Sequence, residues 1–248
     1  MSLKPQVAAE IIAAGRRLYE RHVIASYEGN LSARLDDARI LATSSGVHKG
    51  RLRAADLVVT DMEGRPLGEG RPSSEIRMHL EIYRRRPDLG AIVHAHPTVA
   101  TGWAVAGRTL PTAALAEIVT MLGCVPVAPY GTPSTEELAE TVAGPIESFD
   151  VLLLANHGAV AAGADVEQAE ERMYQLEHFA QIALVSELLG GARRLSREEM
   201  ERLSALRQSS GDTPVPPVCY PSPGESGTIT LTRDELVRLI ADAVRTLR

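Results

Sequence analysis

Apolar residues recur at helical spacing in several segments of the chain. Residues 7–24 form an amphipathic pattern, and the longest such pattern runs over residues 166–189. Ser73 or Ser74 is positioned to cap a helix that reaches about residue 86, before Pro87. Further helices are predicted after Pro97, over residues 112–122 and over residues 135–143.

Short alternating or fully apolar stretches lie between these helices and predict strands. They comprise a stretch after the turn signal Gly29-Asn30, and residues 38–43, 57–61, 91–93, 125–128 and 151–155. Two of these apolar runs end in polar motifs: residues 91–93 lead into His94-Ala95-His96, and residues 151–155 lead into Asn156-His157-Gly158.

The pattern changes near residue 209. Residues 209–227 contain five prolines with several glycines and serines, which is typical of a flexible linker. A capping-box motif, Thr232 to Glu235, then precedes apolar residues on one helical face. The sequence therefore predicts a core of residues 1–208, a linker of residues 209–231 and a tethered amphipathic helix of residues 232–248.

Composition narrows the function classes. The chain has 248 residues, a net charge of -6 and 44% apolar residues, which is enough for a sizeable core but gives no basic surface for nucleic acid. No apolar run is long enough to span a membrane and no signal-peptide pattern is present, so we expect a cytoplasmic protein. The two lysines, Lys4 and Lys49, lie outside any predicted buried element, which leaves no evident Schiff-base lysine.

Three histidines form the strongest chemical pattern. His94 and His96 are two residues apart at the end of a strand, so their side chains point to the same face. His157, at the end of a second strand, is the best candidate for a third ligand of a zinc site with an open position. The alternative is that all three are ordinary hydrogen-bonded residues at strand ends. We interpret His22, His79 and His178 as surface or packing residues.

A base and an anion site would complete such a centre. Glu75, at the start of the helix before the histidine strand, is the leading candidate base, although a glutamate there could simply stabilise the helix dipole. Small polar clusters at Gly29-Asn30, Ser44-Ser45-Gly46 and Ser73-Ser74 could bind phosphate through backbone N–H groups. Each cluster alone is equally consistent with a cap or turn.

Taken together, these motifs resemble the class II aldolase/adducin-like family, which includes L-fuculose-1-phosphate aldolases and L-ribulose-5-phosphate 4-epimerases. The similarity covers residues 7–190, and it rests on the following segments: Gly29-Asn30-Leu31-Ser32, Thr43-Ser44-Ser45-Gly46, Pro72-Ser73-Ser74-Glu75, His94-Ala95-His96-Pro97, Ala128-Pro129-Tyr130-Gly131-Thr132 and Asn156-His157-Gly158-Ala159.

The resemblance implies a three-layer α/β/α fold with a central, mainly antiparallel sheet, and a C4 homotetramer with active sites between subunits. It implies zinc bound by His94, His96 and His157, with Glu75 as the acid/base residue. It also implies a phosphate cradle formed by the following residues: Asn30, Ser45, Gly46, Ser73 and Ser74.

The implied reaction is retro-aldol cleavage of a ketose 1-phosphate, such as L-fuculose or L-rhamnulose 1-phosphate, to dihydroxyacetone phosphate and L-lactaldehyde. Leu115 stands where the fuculose-phosphate aldolases have a tyrosine proton donor. Glu117 is a possible substitute, or else a solvent-facing helix residue. Related members dehydrate methylthioribulose 1-phosphate, decarboxylate aromatic acids or epimerise pentulose phosphates. A non-catalytic scaffold is a further alternative, which the retention of Glu75 disfavours.

The C-terminal helix allows two interpretations. A short amphipathic helix on a long tether resembles the encapsulation peptides that recruit enzymes into bacterial microcompartments, so residues 232–248 could bind shell proteins. Alternatively, this helix docks on the core or on a neighbouring subunit.

Overall fold

The centre of the fold is a seven-stranded sheet. The structure, a computed structural model, describes residues 3–209, 232, 233 and 235–238. The strands are β1 (Asn30–Asp36), β2 (Arg39–Thr43), β3 (Leu57–Thr60), β4 (Ala91–Ala95), β5 (Val127–Ala128), β6 (Val151–Leu154) and β7 (Gly158–Gly163). Their spatial order is β3-β2-β1-β4-β7-β6-β5, and every neighbouring pair is antiparallel except β5 with β6.

Helices cover both faces of this sheet. They are α1 (Leu3–Glu20), α2 (Ile76–Arg85), α3 (Thr98–Val105), α4 (Ala116–Met121), α5 (Glu136–Ile146), α6 (Val166–Leu188) and α7 (Arg197–Ser209). One apolar core lies between the sheet and α1, α3 and α6, and a second lies between the sheet and α2 and α5. Successive strand residues serve opposite cores: Val93 of β4 joins the first and Ile92 the second.

The three-layer α/β/α architecture with a mainly antiparallel sheet is therefore confirmed. The longest helix, α6, closely matches its predicted span, and a helix does follow Pro97. Within the described residues, no helix combines the length and the apolar character needed to cross a membrane.

Two elements were not predicted. β7 lies between β4 and β6, and all six of its residues are buried, so its sequence of glycine, alanine and one valine shows no polar alternation. α7 packs on α4 through Met200 and Leu203, in a small cluster with Val119.

Several predicted boundaries were wrong. The first helix, predicted over residues 7–24, ends at Glu20. Neither Ser73 nor Ser74 caps α2, because the cap residue is Glu75 and the Ser73 hydroxyl accepts a hydrogen bond from the Glu75 N–H (3.3 Å). The helix predicted over residues 112–122 is interrupted at Leu115, whose backbone is extended (φ -143°, ψ 131°) while its side chain packs on the core. Of the strand predicted over residues 125–128, only Val127 and Ala128 pair with β6.

The capping box predicted at the C-terminal helix is confirmed. The Glu235 carboxylate accepts from the Thr232 N–H (2.7 Å), and the Glu235 N–H donates to the Thr232 hydroxyl (3.3 Å). The linker and most of the apolar face of this helix lie outside the described residues.

Candidate metal centre

Three strand ends bring the three histidines together. His94 lies in β4 beside Asn30 of β1, and His96 follows the end of β4. His157 lies in the tight turn between β6 and β7, where Asn156 has a positive φ of 55°. Because β4 pairs with β7, the turn that carries His157 is adjacent to the end of β4.

One ring nitrogen of each histidine points to a shared space. The possible ligand atoms of His94, His96 and His157 all lie within 4.8 Å of one another. The Nε2 atoms of His94 and His96 are 3.2 Å apart. Two nitrogens bound about 2.0–2.1 Å from a tetrahedral zinc ion lie roughly 3.3–3.4 Å apart, so this spacing fits a shared metal.

The hydrogen bonds of the Nδ1 atoms show that the Nε2 atoms of His94 and His96 are the ones that can bind a cation. His94 Nδ1 lies 2.8 Å from the Ala159 carbonyl oxygen, and His96 Nδ1 lies 3.1 Å from Glu28 Oε2. Both partners only accept hydrogen bonds, so both Nδ1 atoms must carry the proton. In neutral imidazoles, the two Nε2 lone pairs then face each other.

Glu75 adds two more acceptor atoms to the same space. Its Oε2 lies 3.2 Å from His94 Nε2, and its Oε1 lies 3.2 Å from His157 Nε2. Burial raises the pKa of this carboxyl group, but in the metal-free chain hydrogen bonds and charge from protonated His157 and His94 outweigh burial and hold the pKa well below its usual range. Glu75 is therefore an ionised carboxylate. Nitrogen lone pairs and carboxylate oxygens that converge in this way favour a bound cation.

Asn30 fixes the orientation of this carboxylate. Its Nδ2 donates to Glu75 Oε2 at 2.8 Å, and its own Oδ1 is buried without a hydrogen-bond partner in the structure. Asn30 therefore belongs to the centre through its hydrogen bond to Glu75.

A second buried histidine lies behind the centre. Ser32 Oγ contacts both His79 Nδ1 (2.6 Å) and the Tyr83 hydroxyl (2.9 Å). Burial, together with the nearby His94, lowers the pKa of His79 to about 3. His79 is thus a neutral packing residue, as predicted, whereas His22 and His178 are exposed.

Four of the five predicted phosphate-binding residues lie on two loops that contact each other, and the fifth, Asn30, begins β1. The Ser45 N–H donates to the Arg71 carbonyl (2.9 Å), and the Ser73 N–H donates to the Thr43 carbonyl (3.0 Å). Ser45, Gly46 and Ser74 are exposed, and Ser73 is half-buried. The structure therefore brings the two loops into contact, and Ser73 and Ser74 directly precede Glu75.

Glu117 is separate from this cluster. It is exposed in the first turn of α4, and the described residues show no hydrogen bond or ion pair between it and the histidines or Glu75. A role for Glu117 therefore depends on another subunit.

The expectation that neither lysine is buried was wrong. Lys49 is only 2% exposed, and its Nζ donates to the carbonyls of Tyr27 and Val47, both at 2.9 Å. The loop that carries Lys49 packs closely on α1 and so buries this side chain. The contact is close enough that a Cβ on Gly15 of α1 would lie 2.7 Å from the Lys49 carbonyl oxygen.

Sequence reasoning also missed Glu28. Its contact with His96 joins residues 68 positions apart, and nothing in the local pattern at Glu28 differs from that of a loop glutamate. The only local signal is that Glu28 directly precedes Gly29-Asn30.

Comparisons with known proteins agree with this geometry. Residues 9–184 match the family described as Class II Aldolase and Adducin N-terminal domain. A 3-oxo-tetronate 4-phosphate decarboxylase from Haemophilus influenzae is 37% identical over 176 residues, which cover 69% of this chain and 84% of the relative. A 5-methylthioribulose-1-phosphate/5-deoxyribulose-1-phosphate aldolase from Rhodospirillum rubrum is 34% identical over 212 residues, which cover 84% of this chain and 95% of the relative.

A solved structure shows the same fold. An L-fuculose 1-phosphate aldolase superposes with a TM-score of 0.77 at 34% identity, covering 84% of this chain and 97% of that chain. The family match spans more than half of the chain and includes all three histidines. The chain therefore belongs to the class II aldolase and adducin family and is an enzyme of its carbon–carbon lyase type.

Proposed function

We propose that the chain is a zinc-dependent aldolase that cleaves a ketose 1-phosphate to dihydroxyacetone phosphate and a short aldehyde. The observation that carries this proposal is the convergence of His94 Nε2, His96 Nε2 and the Glu75 carboxylate on one space. His94, His96 and His157 would hold the ion. When bound, zinc would stabilise the negative charge that develops on the substrate ketone oxygen.

The residues around this space fit the proton transfers of a retro-aldol step. The carbon–carbon bond breaks, its electrons pass toward the ketone as an enediolate, and the hydroxyl of the departing carbon loses its proton as the aldehyde forms. The enediolate carbon then gains a proton, so the net proton count is unchanged. Glu75, held by Asn30, would exchange the proton at that carbon.

The substrate phosphate would bind at the two contacting loops. Ser45, Ser73 and Ser74 would offer hydroxyl groups there, and Gly46 and Ser74 would offer backbone N–H groups. Asn30, which donates to Glu75, would complete this site from β1. L-Fuculose and L-rhamnulose 1-phosphate, which would give L-lactaldehyde, are the proposed substrates. The relative from Rhodospirillum rubrum adds 5-deoxyribulose 1-phosphate to the ketose 1-phosphates worth testing.

Decarboxylation of a 3-oxo acid phosphate is the second candidate. The decarboxylase relative from Haemophilus influenzae supports this candidate. Leu115 supports it as well, because a leucine cannot transfer a proton at the position proposed for a tyrosine proton donor. Loss of carbon dioxide also leaves an enediolate but requires no group to remove a hydroxyl proton. In the aldolase, we propose that Glu117 of a neighbouring subunit removes that proton, within a homotetramer.

The test is a substrate panel with the purified full chain and zinc. Release of dihydroxyacetone phosphate from fuculose, rhamnulose, methylthioribulose or 5-deoxyribulose 1-phosphate supports the aldolase. Carbon dioxide released from 3-oxo-tetronate 4-phosphate supports the decarboxylase. If no ketose 1-phosphate yields dihydroxyacetone phosphate, the aldolase proposal is wrong.

Two histidine variants test the metal in the same assay. His94→Ala should lose bound zinc and lower turnover by about 100-fold or more, because it removes one of three ligands. His178→Ala is the matched control, since His178 is exposed on α6 and should keep both zinc and turnover. Full zinc content in His94→Ala would contradict the proposed ligand set.

Location and partners are proposals as well. We propose a cytoplasmic enzyme whose residues 232–248 bind microcompartment shell proteins, with the described capping box as its helix start. Unchanged co-localisation with shell protein after deletion of residues 210–248 would rule out this role.

A further inference from the structure

The three histidines are held by different partners. Ala159 fixes His94 through its backbone carbonyl, while His157 Nδ1 is buried with no hydrogen-bond partner in the structure. His96 is held by a side chain, Glu28, whose Oε2 lies 3.1 Å from His96 Nδ1. Among the described residues, Glu28 is thus the one side chain that contacts the Nδ1 of a candidate ligand.

Glu28 is itself held in place from several sides. Its second oxygen, Oε1, accepts from the Ala25 N–H at 3.0 Å. The preceding carbonyl, of Tyr27, accepts from the buried Lys49 Nζ. The following residue, Gly29, has a φ of +67°, and a Cβ there would lie 2.6 Å from the His94 carbonyl oxygen. The backbone on both sides of Glu28 is therefore fixed against the core.

A carboxylate on the Nδ1–H of a histidine has two effects on a metal at Nε2. It holds the ring in one orientation and one tautomer, and its negative charge makes Nε2 a stronger donor to a cation. Glu28 is partly buried, with a side-chain exposure of 32%, so solvent only partly screens its charge from the His96 ring.

We propose that Glu28 is a positioning residue that orients His96 and strengthens metal binding at the three-histidine centre. This role rests on the proposed metal site but not on the identity of the substrate. The described residues show no hydrogen bond or ion pair between Glu28 and His94, His157 or Glu75, so Glu28 would act on a bound metal through His96.

Metal affinity of the full-length chain, measured without substrate, tests this role. Zinc binding is determined by competition with a chelating dye for the wild type, Glu28→Ala and Glu28→Gln. Glu28→Ala should bind zinc about 10- to 100-fold more weakly. Glu28→Gln keeps an acceptor for Nδ1–H but loses the charge, so its affinity should fall less.

A spectroscopic measurement separates this role from a general loss of stability. In the cobalt-substituted protein, the visible absorption bands report the ligand field, so they should shift in both Glu28 variants. Asp36→Ala is the matched control: it removes one negative charge and one carboxylate bond to a backbone N–H (3.0 Å, from Ala38) at the far end of β1. It should keep wild-type zinc affinity and cobalt spectrum.

The outcomes are distinguishable. Wild-type affinity and an unchanged cobalt spectrum in folded Glu28 variants overturn the proposal. If Glu28→Ala does not fold, Glu28→Gln decides, and a loss of affinity beyond that of Asp36→Ala supports the role. A wild-type chain that binds neither zinc nor cobalt overturns the metal centre and this role together. Metal binding without aldolase activity would contradict only the proposed reaction.

Discussion

Lys49 links two loops of the centre through single hydrogen bonds. Its Nζ donates to the Tyr27 carbonyl, next to Glu28, and to the Val47 carbonyl, next to Gly46. Burial lowers its pKa from 10.5 to about 8, and the negative charges of Glu28 and Glu75 offset only part of this effect. A neutral amine still has two N–H groups, so both hydrogen bonds survive loss of the charge.

This lowered pKa makes the folding stability depend on pH in a defined direction. Between pH 8 and 10.5 the unfolded chain keeps the Lys49 proton and the folded chain does not, so the stability contributed by Lys49 rises with pH and is lost as pH falls through 8. Urea unfolding of the zinc-free chain measures this effect. Between pH 8 and 10.5, the free energy of unfolding of the wild type should rise relative to that of Lys49→Met by on the order of 1–3 kcal/mol.

The other lysine supplies the control for this experiment. Lys4 is exposed, so Lys4→Met should follow the wild-type pH dependence over the same range. Identical pH slopes for the wild type and Lys49→Met would show that Lys49 does not carry this coupling.

At the same scale, the sequence predicted the positions of the three histidines better than the residues that hold them. His94, His96 and His157 could be found because each lies at the end of an apolar strand, and strand periodicity gives the direction of the side chain. Glu28 and Lys49 could not be found, because their contacts depend on how the loops fold over α1 and β4. A contact across 68 residues has no local pattern.

At the scale of elements, β7 is the support for the centre that the sequence did not reveal. Its Ala159 carbonyl binds His94, and its first residue, Gly158, packs against His96. A central strand buried on both faces and built from small residues lacks the alternation that predicts strands. The β4, β6 and α6 patterns were predictable because their apolar residues are larger and more numerous.

Gly158 is the point where β7 controls the geometry of the histidines. A Cβ at this position would lie 2.4 Å from His96 Cδ2 and 2.7 Å from the Ala95 carbonyl oxygen. Gly158→Ala should therefore displace the His96 ring, lower the free energy of unfolding by about 1–3 kcal/mol and weaken zinc binding. Thermal unfolding and the dye competition assay measure the two effects.

A glycine with free space around it is the matched control. Gly144 lies in α5, and a Cβ there would meet no atom within 4 Å. Gly144→Ala should leave zinc affinity unchanged and should be neutral or slightly stabilising, since alanine favours a helix. Equal zinc affinity in Gly158→Ala and the wild type would mean that the turn tolerates a Cβ and does not fix His96.

At the scale of the whole molecule, the outer face of α6 changes character along its length. Glu167, Glu171 and His178 are exposed in its N-terminal part. On the same helical face, Ile182, Val185 and Leu189 follow at the C-terminal end, with exposures of 37%, 54% and 80%. An apolar stripe that continues a polar one on the same face is typical of a surface covered by another subunit.

The proposed homotetramer gives this stripe a function that can be tested. Val185→Lys places a charge in the apolar part of the face, and burying that charge between subunits would cost several kcal/mol, so the assembly should dissociate. His178→Lys makes a similar change in the polar part of the same face and should keep the wild-type mass. Light scattering at a fixed protein concentration measures both. A tetrameric Val185→Lys variant would place the interface elsewhere, and a monomeric wild type would contradict the tetramer itself, together with the cross-subunit role of Glu117 that depends on it.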